Sequence, residues 1–402
     1  MRVAPKDKIL FIFFLTALAF AFMSPFSAQA AEVYKIGAIF AITGPASSLG
    51  IPERDTAIML QEEIDKKGGI KGPDGVLHPV KIIIYDDQSD ATEAVKVAKK
   101  LLEEGVVAVV GSSQSPTSMA LVPIMEKAKV PLISVASSSA IVEPVEERHW
   151  IFKTPQSNDP VAEKQVEYLK AKGITRVASL YVNDAFGEDS RKALQRHTQK
   201  AGIKIVVEEK FEHPDKDMTA QLTKVKASDA QALIVHAIPP GASIITRQFR
   251  DLGFKIPIIH NHGVGNKPFI DLAGGTADGV IFPIGKMLVA EDLPDADPQK
   301  KVLLDYIKAY ETRFKKPRST FGGHAWDALQ LVFKALEKVK DGTPLEKTRA
   351  IIRDEIENTK RFVGTGGVFE LSPKDHNGLG VKDMVLVKIV DGKWKYFPRE
   401  KW

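Results

Sequence analysis

The chain has 402 residues, of which 44% are hydrophobic and 27% charged, and its formal net charge is +5. This composition is typical of a globular protein and excludes a disordered or collagen-like chain. No basic run is longer than two residues, so the sequence shows no nucleic-acid-binding footprint. The length favours two domains.

The first thirty residues have the pattern of a secretory signal. A positively charged start is followed by an apolar run at 9–23 and by Ala-Gln-Ala at 28–30, a typical cleavage site. The run is shorter than the roughly 20 residues needed to span a bilayer. The chain contains no Cys, so it has neither disulfides nor a lipid-attachment site at the cleavage point. We predict a signal peptide over 1–30 and an exported periplasmic product without a lipid anchor.

Strands and helices alternate along residues 33–281, as in a parallel sheet covered by helices. The predicted strands are 33–42, 80–85, 106–110, 132–135, 176–182, 203–211, 232–237 and 256–259. The predicted helices are 50–66, 90–105 and 117–128, followed by helices that begin near 159, 187, 217 and 241. Because the pattern restarts near residue 150, it predicts an α/β fold of two doubly wound lobes with parallel-type sheets.

The pattern changes after residue 281. Three successive helices are predicted at 298–315, 324–340 and 344–357, and short strands follow at 368–370, 384–390 and 394–397. Asp391 and Gly392 form the predicted turn between the last two strands. The junction near 150–155 has no Gly/Ser-rich linker, which favours lobes that close about a hinge over lobes that tumble independently.

Complete catalytic signatures are missing from the sequence. It contains no Gly-x-Ser-x-Gly elbow, no phosphate-binding P-loop and no His-Glu-x-x-His. His260 and His262 could supply two metal ligands, but no acidic or histidine cluster accompanies them. Asp86, Asp87 and Asp184 follow strands, where turn and helix-capping roles are commoner than acid–base catalysis. We therefore predict a protein that is not an enzyme and uses no metal or cofactor.

Two serine-rich loops follow neighbouring predicted strands. The first, GSSQSP at 111–116, has Ser115 as a predicted N-cap and Pro116 as the first helical residue. The second, at 134–139, adds further hydroxyls. Free N–H groups at a helix start form an anion site from neutral groups. These loops predict a carboxylate site, although capped turns would explain the same serines without a ligand.

A series of short motifs lies in a specific order along residues 33–390. The motifs are IGA at 36–38, TGP at 43–45, GGIKG at 68–72, DD at 86–87, GSSQS at 111–115, PLIS at 131–134, DAFG at 184–187, GVGN at 263–266, WDA at 326–328 and GTGG at 364–367. In order and spacing they resemble the periplasmic receptors of the leucine/isoleucine/valine-binding type, the type I solute-binding proteins of ABC importers.

This resemblance implies two lobes joined by a three-segment hinge, with a small molecule trapped in the cleft between them. The first lobe would comprise residues 31–152 and 284–362, and the second would comprise 153–283 and 363–402. It also implies delivery of the ligand to a membrane ABC permease, and a monomer is the usual form in the family.

The resemblance also implies which residues hold the ligand carboxylate. In the family, a serine of the first loop and a small or hydroxyl-bearing pair of the second loop hold this group. The matching positions are Ser115 and the pair Ser137 and Ser138.

The remaining cleft positions implied by the resemblance are apolar. An aromatic residue before a glycine in the second lobe matches Phe186, and a position after the 232–237 strand matches Ile238 or Pro239. Leu49 occupies the first-lobe position that is aromatic in branched-chain binders. The cleft therefore looks apolar beyond its carboxylate anchor.

One position departs from the family pattern. Amino-acid binders of this type carry an acidic residue just before Gly-Val-Gly, which pairs with the ligand ammonium, whereas this chain has His262. An imidazole matches an ammonium poorly, because its cationic form would repel it. We therefore expect an apolar carboxylate without an α-ammonium, such as an aromatic acid, a branched 2-oxo acid or a short fatty acid. His262 would bond a ring substituent or keto oxygen of that ligand.

Several alternatives fit the same residues. The ammonium could be met elsewhere, which would make the protein a receptor for a branched-chain or other amino acid. A sensory ligand-binding subunit would use the same fold. His324 either lines the cleft rim or serves as a polar residue at a helix start.

Overall fold

The computed structural model describes residues 32–402, so the predicted signal peptide lies outside the described residues. The first part of the chain forms the strands β1 (Tyr34–Phe40), β2 (Ile70–Lys71), β3 (Leu77–His78), β4 (Val80–Asp86), β5 (Ala108–Gly111), β6 (Leu132–Ser134) and β7 (Ile151–Lys153). Five of them build a parallel sheet in the order β4-β1-β5-β6-β7, and β2 pairs with β3 in a small hairpin.

The second part of the chain builds a separate sheet. Its strands are β8 (Arg176–Val182), β9 (Lys204–Phe211), β10 (Ala232–His236), β11 (Ile258–His260), β12 (Ile281–Gly285), β15 (Met384–Val390) and β16 (Lys393–Tyr396). Between β12 and β15 the chain forms two further short strands outside this sheet, β13 (Phe362–Val363) and β14 (Val368–Phe369). The sheet order is β16-β15-β12-β11-β10-β8-β9, with antiparallel pairing only at β15 and β16. Strands β13 and β14 pair with each other.

Helices cover both faces of the two sheets. They are α1 (Ser47–Lys67), α2 (Ala91–Glu103), α3 (Ser115–Ala128), α4 (Asn158–Ala171), α5 (Ala185–Ala201), α6 (Thr219–Ala227), α7 (Gly241–Asp251), α8 (Lys267–Ala273), α9 (Lys300–Phe314), α10 (Thr320–Leu336) and α11 (Leu345–Glu357). Helix α2 illustrates their origin, because Asp90 caps it by accepting a 2.8 Å hydrogen bond from the Glu93 N–H.

Each sheet has an apolar core on either face, as a doubly wound lobe requires. In β5 the alternation is explicit, since Val110 packs in the cluster that contains α10, whereas Val109 packs with α2 and α3. In the second lobe, Leu233 and Ile234 of β10 likewise belong to opposite clusters. The expected two-lobed α/β architecture is therefore present.

The chain passes between the two lobes three times. It leaves the first sheet after Lys153. After Gly285 it returns from the second sheet to the helices of the first lobe, and it enters the second sheet for the last time at Met384. The boundaries at 152/153, 283/284 and 362/363 stay predictions. Because Phe369 and Leu371 pack in the core of the first lobe, we propose that the last passage follows residue 371.

Two strands of the main sheets lie where the sequence pattern predicts none. Strand β7 has only three residues, too few for a periodic signal. In β12, Pro283 interrupts the apolar run, and a proline normally argues against an interior strand. Pro283 lies opposite Leu386 of β15, in the antiparallel part of the sheet.

Candidate functional site

A cavity lies between the carboxyl ends of the parallel strands of the two lobes and comprises about 520 Å³ of space, part of it open to solvent. This is the place where doubly wound folds bind ligands, because helix starts and loops converge there. Its lining comprises Leu49, Ser113, Gln114, Ser115, Pro116, Val135, Ala136, Ser137, Pro155, Asp184, Phe186, Ile238, His262, Gly263, Ile284, Thr320, Phe321 and His324. Both lobes therefore contribute to one site.

The first serine loop differs in detail from its prediction. Ser115 is the first residue of α3, and Gln114 occupies the N-cap position, so the predicted capping role of Ser115 is wrong. The Ser115 hydroxyl instead accepts a 3.2 Å hydrogen bond from the Ser138 N–H. Ser113 turns its hydroxyl away to Glu53 and also accepts from the Ala41 N–H at 2.9 Å. Ser115 thus joins the two serine loops.

The second serine loop follows β6. Ser137 lines the cavity, and Ser138 beside it is fully buried. Within residues 32–402, the Ser138 hydroxyl has no hydrogen-bond partner. A buried hydroxyl without a partner costs free energy in the empty protein, and a polar ligand group can recover it.

The second lobe contributes an aromatic wall. Phe186 stands in the first turn of α5, which Asp184 caps by accepting a 2.8 Å hydrogen bond from the Gly187 N–H. His262 begins the short 3-10 turn after β11, where the Asn261 side chain accepts a 3.1 Å bond from the Gly263 N–H. The Phe186 and His262 ring centroids are 6.0 Å apart. Local capping therefore positions both rings.

The two cavity histidines are electrically neutral. Burial, and after it the nearby Lys153 side chain, lower the pKa of His262 to about 3, although the Gln156 backbone opposes the shift. Burial, together with His262 and Lys153, lowers the pKa of His324 to about 3. In the described part of the chain, both ring nitrogens of His262 and Nδ1 of His324 lack hydrogen-bond partners. Each ring can thus offer a donor or acceptor to a ligand without carrying charge.

The start of α10 contributes side chains that the sequence alone does not assign to the site. Phe321 and His324 line the cavity together with Thr320. A Cβ on Gly322 would lie 2.4 Å from the Tyr306 hydroxyl oxygen, so glycine allows this helix start to pack closely. The sequence signal was present in Phe-Gly-Gly-His after a polar cap, but it does not say which lobe edge the helix reaches.

Most of the predicted site residues come together in this cavity. Leu49, Ser115, Ser137, Phe186, Ile238 and His262 line it. Pro239 does not line it but faces an adjoining hollow with Pro45 and His213. Their roles in ligand binding stay predictions.

The histidine pair considered as metal ligands divides between two environments. The His260 Nε2 atom lies 2.9 Å from the Thr246 hydroxyl inside the second lobe, whereas His262 faces the cavity. Residues 32–402 contain no group of three or more His, Cys, Asp or Glu side chains arranged to hold a metal ion.

Over the same residues, no helix combines the length and apolar character needed to cross a membrane.

The fold and the cavity define a class, the two-lobed solute-binding proteins that hold a small molecule between their lobes. A family model described as periplasmic binding protein matches residues 33–393. The chain belongs to this family, and within it the chain is similar to the leucine/isoleucine/valine-binding proteins. It is accordingly a binding protein and not an enzyme.

Named relatives and solved structures agree with this assignment. The chain is 28% identical to the leucine-, isoleucine-, valine-, threonine- and alanine-binding protein of Pseudomonas aeruginosa, over 87% of this chain and 89% of the relative. An extracellular ligand-binding receptor from Rhodopseudomonas palustris has a TM-score of 0.83 and 32% identity, over 92% of this chain and 100% of the receptor. A branched-chain amino acid transporter substrate-binding protein of Streptococcus pneumoniae, in complex with isoleucine, has a TM-score of 0.77 and 26% identity, over 90% and 98% of the two chains.

Proposed function

We propose that this protein captures an amino acid with an apolar side chain in the periplasm and presents it to the permease of an ABC importer. The observation that carries the proposal is the cavity itself, which combines two serine loops at a helix start with apolar walls from both lobes. The names of the Pseudomonas aeruginosa and Streptococcus pneumoniae relatives support an amino-acid ligand.

The ligand carboxylate is assigned to the serine loops. The start of α3 offers free backbone N–H groups and the positive end of the helix dipole, and Ser138 offers an unpartnered hydroxyl. The cavity lining, as far as residues 32–402 define it, includes no Arg or Lys. Neutral donors therefore hold the anion, as they do at other helix N-termini.

The ligand ammonium is assigned to two neutral acceptors that line the cavity, the imidazoles of His262 and His324. A neutral imidazole has one acceptor nitrogen, so His262 and His324 can each accept a hydrogen bond from an ammonium. The carboxylate of Asp184 also borders the cavity, although it already accepts from the Gly187 N–H and lies 2.8 Å from the His213 ring.

A second candidate ligand is a small apolar carboxylate without an ammonium, namely an aromatic acid, a 2-oxo acid or a short fatty acid. The observation that favours it is the neutral, buried His262 at the position where amino-acid binders of this type carry an acidic residue. A charged partner binds an ammonium more strongly than an imidazole does. In this candidate, the two histidines bond a hydroxyl or keto oxygen of the ligand.

A thermal-shift panel separates the two candidates. The protein is unfolded and refolded to remove carried-over ligand, and each branched or aromatic amino acid is paired with its deaminated acid and its 2-oxo acid. A true ligand at a thousandfold excess over its Kd adds about 4 kcal/mol of stability. Larger shifts with the amino acids support the first candidate, and larger shifts with the deaminated or oxo acids support the second. If no carboxylate in the panel shifts the melting temperature, the proposed anchor is wrong.

A further inference from the structure

A carboxylate of the second lobe holds the loop that carries the proposed ligand anchor. Asp189, on α5, accepts a 2.9 Å hydrogen bond from the Ser139 N–H and a 2.6 Å bond from the Ser139 hydroxyl. Asn158, at the start of α4 in the same lobe, donates a third bond to this carboxylate at 2.7 Å. Ser139 belongs to the first lobe, so two of the three bonds cross the cleft.

The position of Ser139 connects these bonds to the ligand site. It directly follows Ser138, whose N–H donates to the Ser115 hydroxyl and whose own hydroxyl is buried without a partner in the described chain. A ligand that orders Ser138 therefore also positions Ser139. When the lobes separate, Ser139 and Asp189 must part, because they are carried by different lobes.

The surroundings of Asp189 contain other titratable groups. Lys153 is 1% exposed, and its Nζ donates a 2.9 Å bond to the Pro155 carbonyl. Burial lowers the pKa of Lys153 to about 7, although the charge of Asp189 opposes this shift. Glu143 also faces Asp189, and burial together with that carboxylate raises the pKa of Glu143. Asp189 thus accepts three hydrogen bonds, and bonds to a carboxylate group are among the stronger ones.

We propose that Asp189 is an interlobe latch that acts on the ligand-binding loop and sets the lifetime of the closed, ligand-bound form. Its bonds to Ser139 exist only when the lobes are closed, so they stabilise the closed form relative to the open one. This inference rests on the proposed function, because it requires a ligand in the cavity. Asp189 is a positioning residue, and its effect reaches the ligand through Ser139.

The test compares ligand dissociation rates of the full-length mature protein and three variants by stopped-flow fluorescence. The probe is L-leucine, or the compound of the panel above with the largest melting shift. Asp189→Asn should accelerate dissociation about tenfold and change the association rate far less, since hydrogen bonds to charged groups act mainly on dissociation. Ser139→Ala, which keeps the backbone bond, should accelerate it about threefold. The double variant should dissociate no faster than Asp189→Asn alone.

Glu188→Gln is the matched control. Glu188 precedes Asp189 on α5 and pairs at 2.9 Å with Arg191 of the same helix, so its removal deletes the same charge without touching the first lobe. This variant should dissociate at the wild-type rate. The melting temperatures of all variants without ligand should stay close to wild type, because the latch acts on closure and not on the folding of a lobe.

The outcomes keep the latch and the proposed function apart. If the wild-type protein binds no panel compound, the proposed function fails. If the wild type binds and Asp189→Asn dissociates at the same rate, or if Glu188→Gln accelerates dissociation equally, the latch is wrong. If Asp189→Asn does not fold, Ser139→Ala decides, and a wild-type rate in that variant overturns the proposal.

Discussion

At the residue scale, four histidines of the described chain are buried and neutral, and two of them, His262 and His324, line the cavity. Burial lowers the pKa of His236, His260, His262 and His324 to about 3 in each case. His260 has a partner in Thr246, at 2.9 Å. By contrast, neither ring nitrogen of His236 has a partner within residues 32–402. His262 and His324 therefore make the cavity polar without adding charge, whereas His236 and His260 lie outside its lining.

The histidines predict a specific pH dependence of stability. Their folded pKa of about 3 lies below the unfolded value near 6.5. Each one therefore contributes stability that is complete above about pH 6.5 and is lost as the pH falls toward 3. Asp327 has the opposite effect on stability. Because burial raises its pKa from 3.8 to about 7, the stability that it contributes is complete at low pH and is lost as the pH rises toward 7. Substituting one histidine separates its contribution to the pH dependence from that of Asp327.

His236→Leu provides that comparison. The substitution removes a buried ring that must stay uncharged, so the variant should gain about 2 kcal/mol relative to wild type between pH 7.5 and 4.5. Urea unfolding at the two pH values measures the difference. If the difference in unfolding free energy between wild type and variant is the same at both pH values, His236 takes up its proton in the folded protein as readily as in the unfolded one.

Ser138 gives a second prediction at this scale. Its hydroxyl is buried without a partner in the described chain, so Ser138→Ala should not lower the melting temperature of the empty protein. If the hydroxyl bonds the ligand carboxylate, affinity should fall at least about tenfold in calorimetry. Ser112→Ala is the control, because the Ser112 hydroxyl already bonds Asp87 and, at 2.7 Å, Thr117. That variant should lose about 1 kcal/mol of stability instead. Undiminished affinity in Ser138→Ala would contradict the anchor assignment.

At the element scale, glycine lets two helices start close to the strand that precedes them. A Cβ on Gly50 of α1 would lie 2.2 Å from the Ala41 carbonyl oxygen, and one on Gly187 of α5 would lie 1.8 Å from that of Val182. The residues before these glycines, Leu49 and Phe186, line the cavity. The close approach of each helix start therefore brings an apolar side chain to the ligand.

Gly187→Ala tests this relation. The added methyl must push the start of α5 away from Val182, which should cost about 1–3 kcal/mol of stability and weaken ligand binding by moving Phe186. Thermal melting and calorimetry measure the two effects. Gly275→Ala is the control, because a Cβ there meets nothing within 4 Å. Wild-type binding in Gly187→Ala would show that the position of Phe186 is unimportant for the ligand.

At the scale of the whole molecule, helix α10 is bonded both to the segment 364–366 and to the first connection between the lobes. Asp327 of α10 accepts bonds from the Thr365 N–H at 2.6 Å and the Gly366 N–H at 2.7 Å. The Thr154 hydroxyl, in the first connection, donates to the His324 carbonyl at 2.9 Å. Because His324 also lines the cavity, the hinge and the ligand site share one helix start.

Ligand-driven closure can be measured directly, because the chain has no native Cys. Lys127→Cys on α3 and Lys192→Cys on α5 place fluorophores at exposed sites of opposite lobes. Energy transfer between them should rise when ligand binds, since ligand shifts the hinge equilibrium toward the closed form. The pair Lys99→Cys and Lys127→Cys, within the first lobe, should show no change. A ligand that binds without altering the interlobe signal would contradict capture by closure.

The sequence by itself determined the local structure. Apolar strand segments alternate with helices that carry an apolar face, and this pattern predicts the two β/α lobes. Strands buried on both faces of a parallel sheet and helices packed on it differ in the spacing of their apolar residues, which is a local property of the sequence. Asp90 caps its helix, and Asp391 and Gly392, with φ of 50° and 67°, form the predicted hairpin turn. The two serine loops also meet at the predicted edge, since they follow adjacent parallel strands.

Only the tertiary structure decided which distant residues join these loops. Phe321 and His324 reach the cavity from a helix about two hundred residues after Ser115, and no local pattern encodes that distance. The tertiary structure likewise placed Asp189 against Ser139 and diverted the Ser115 hydroxyl from a cap to the Ser138 N–H. These contacts depend on how two lobes pack across a cleft, and that packing is set by the three connections between them rather than by any one segment.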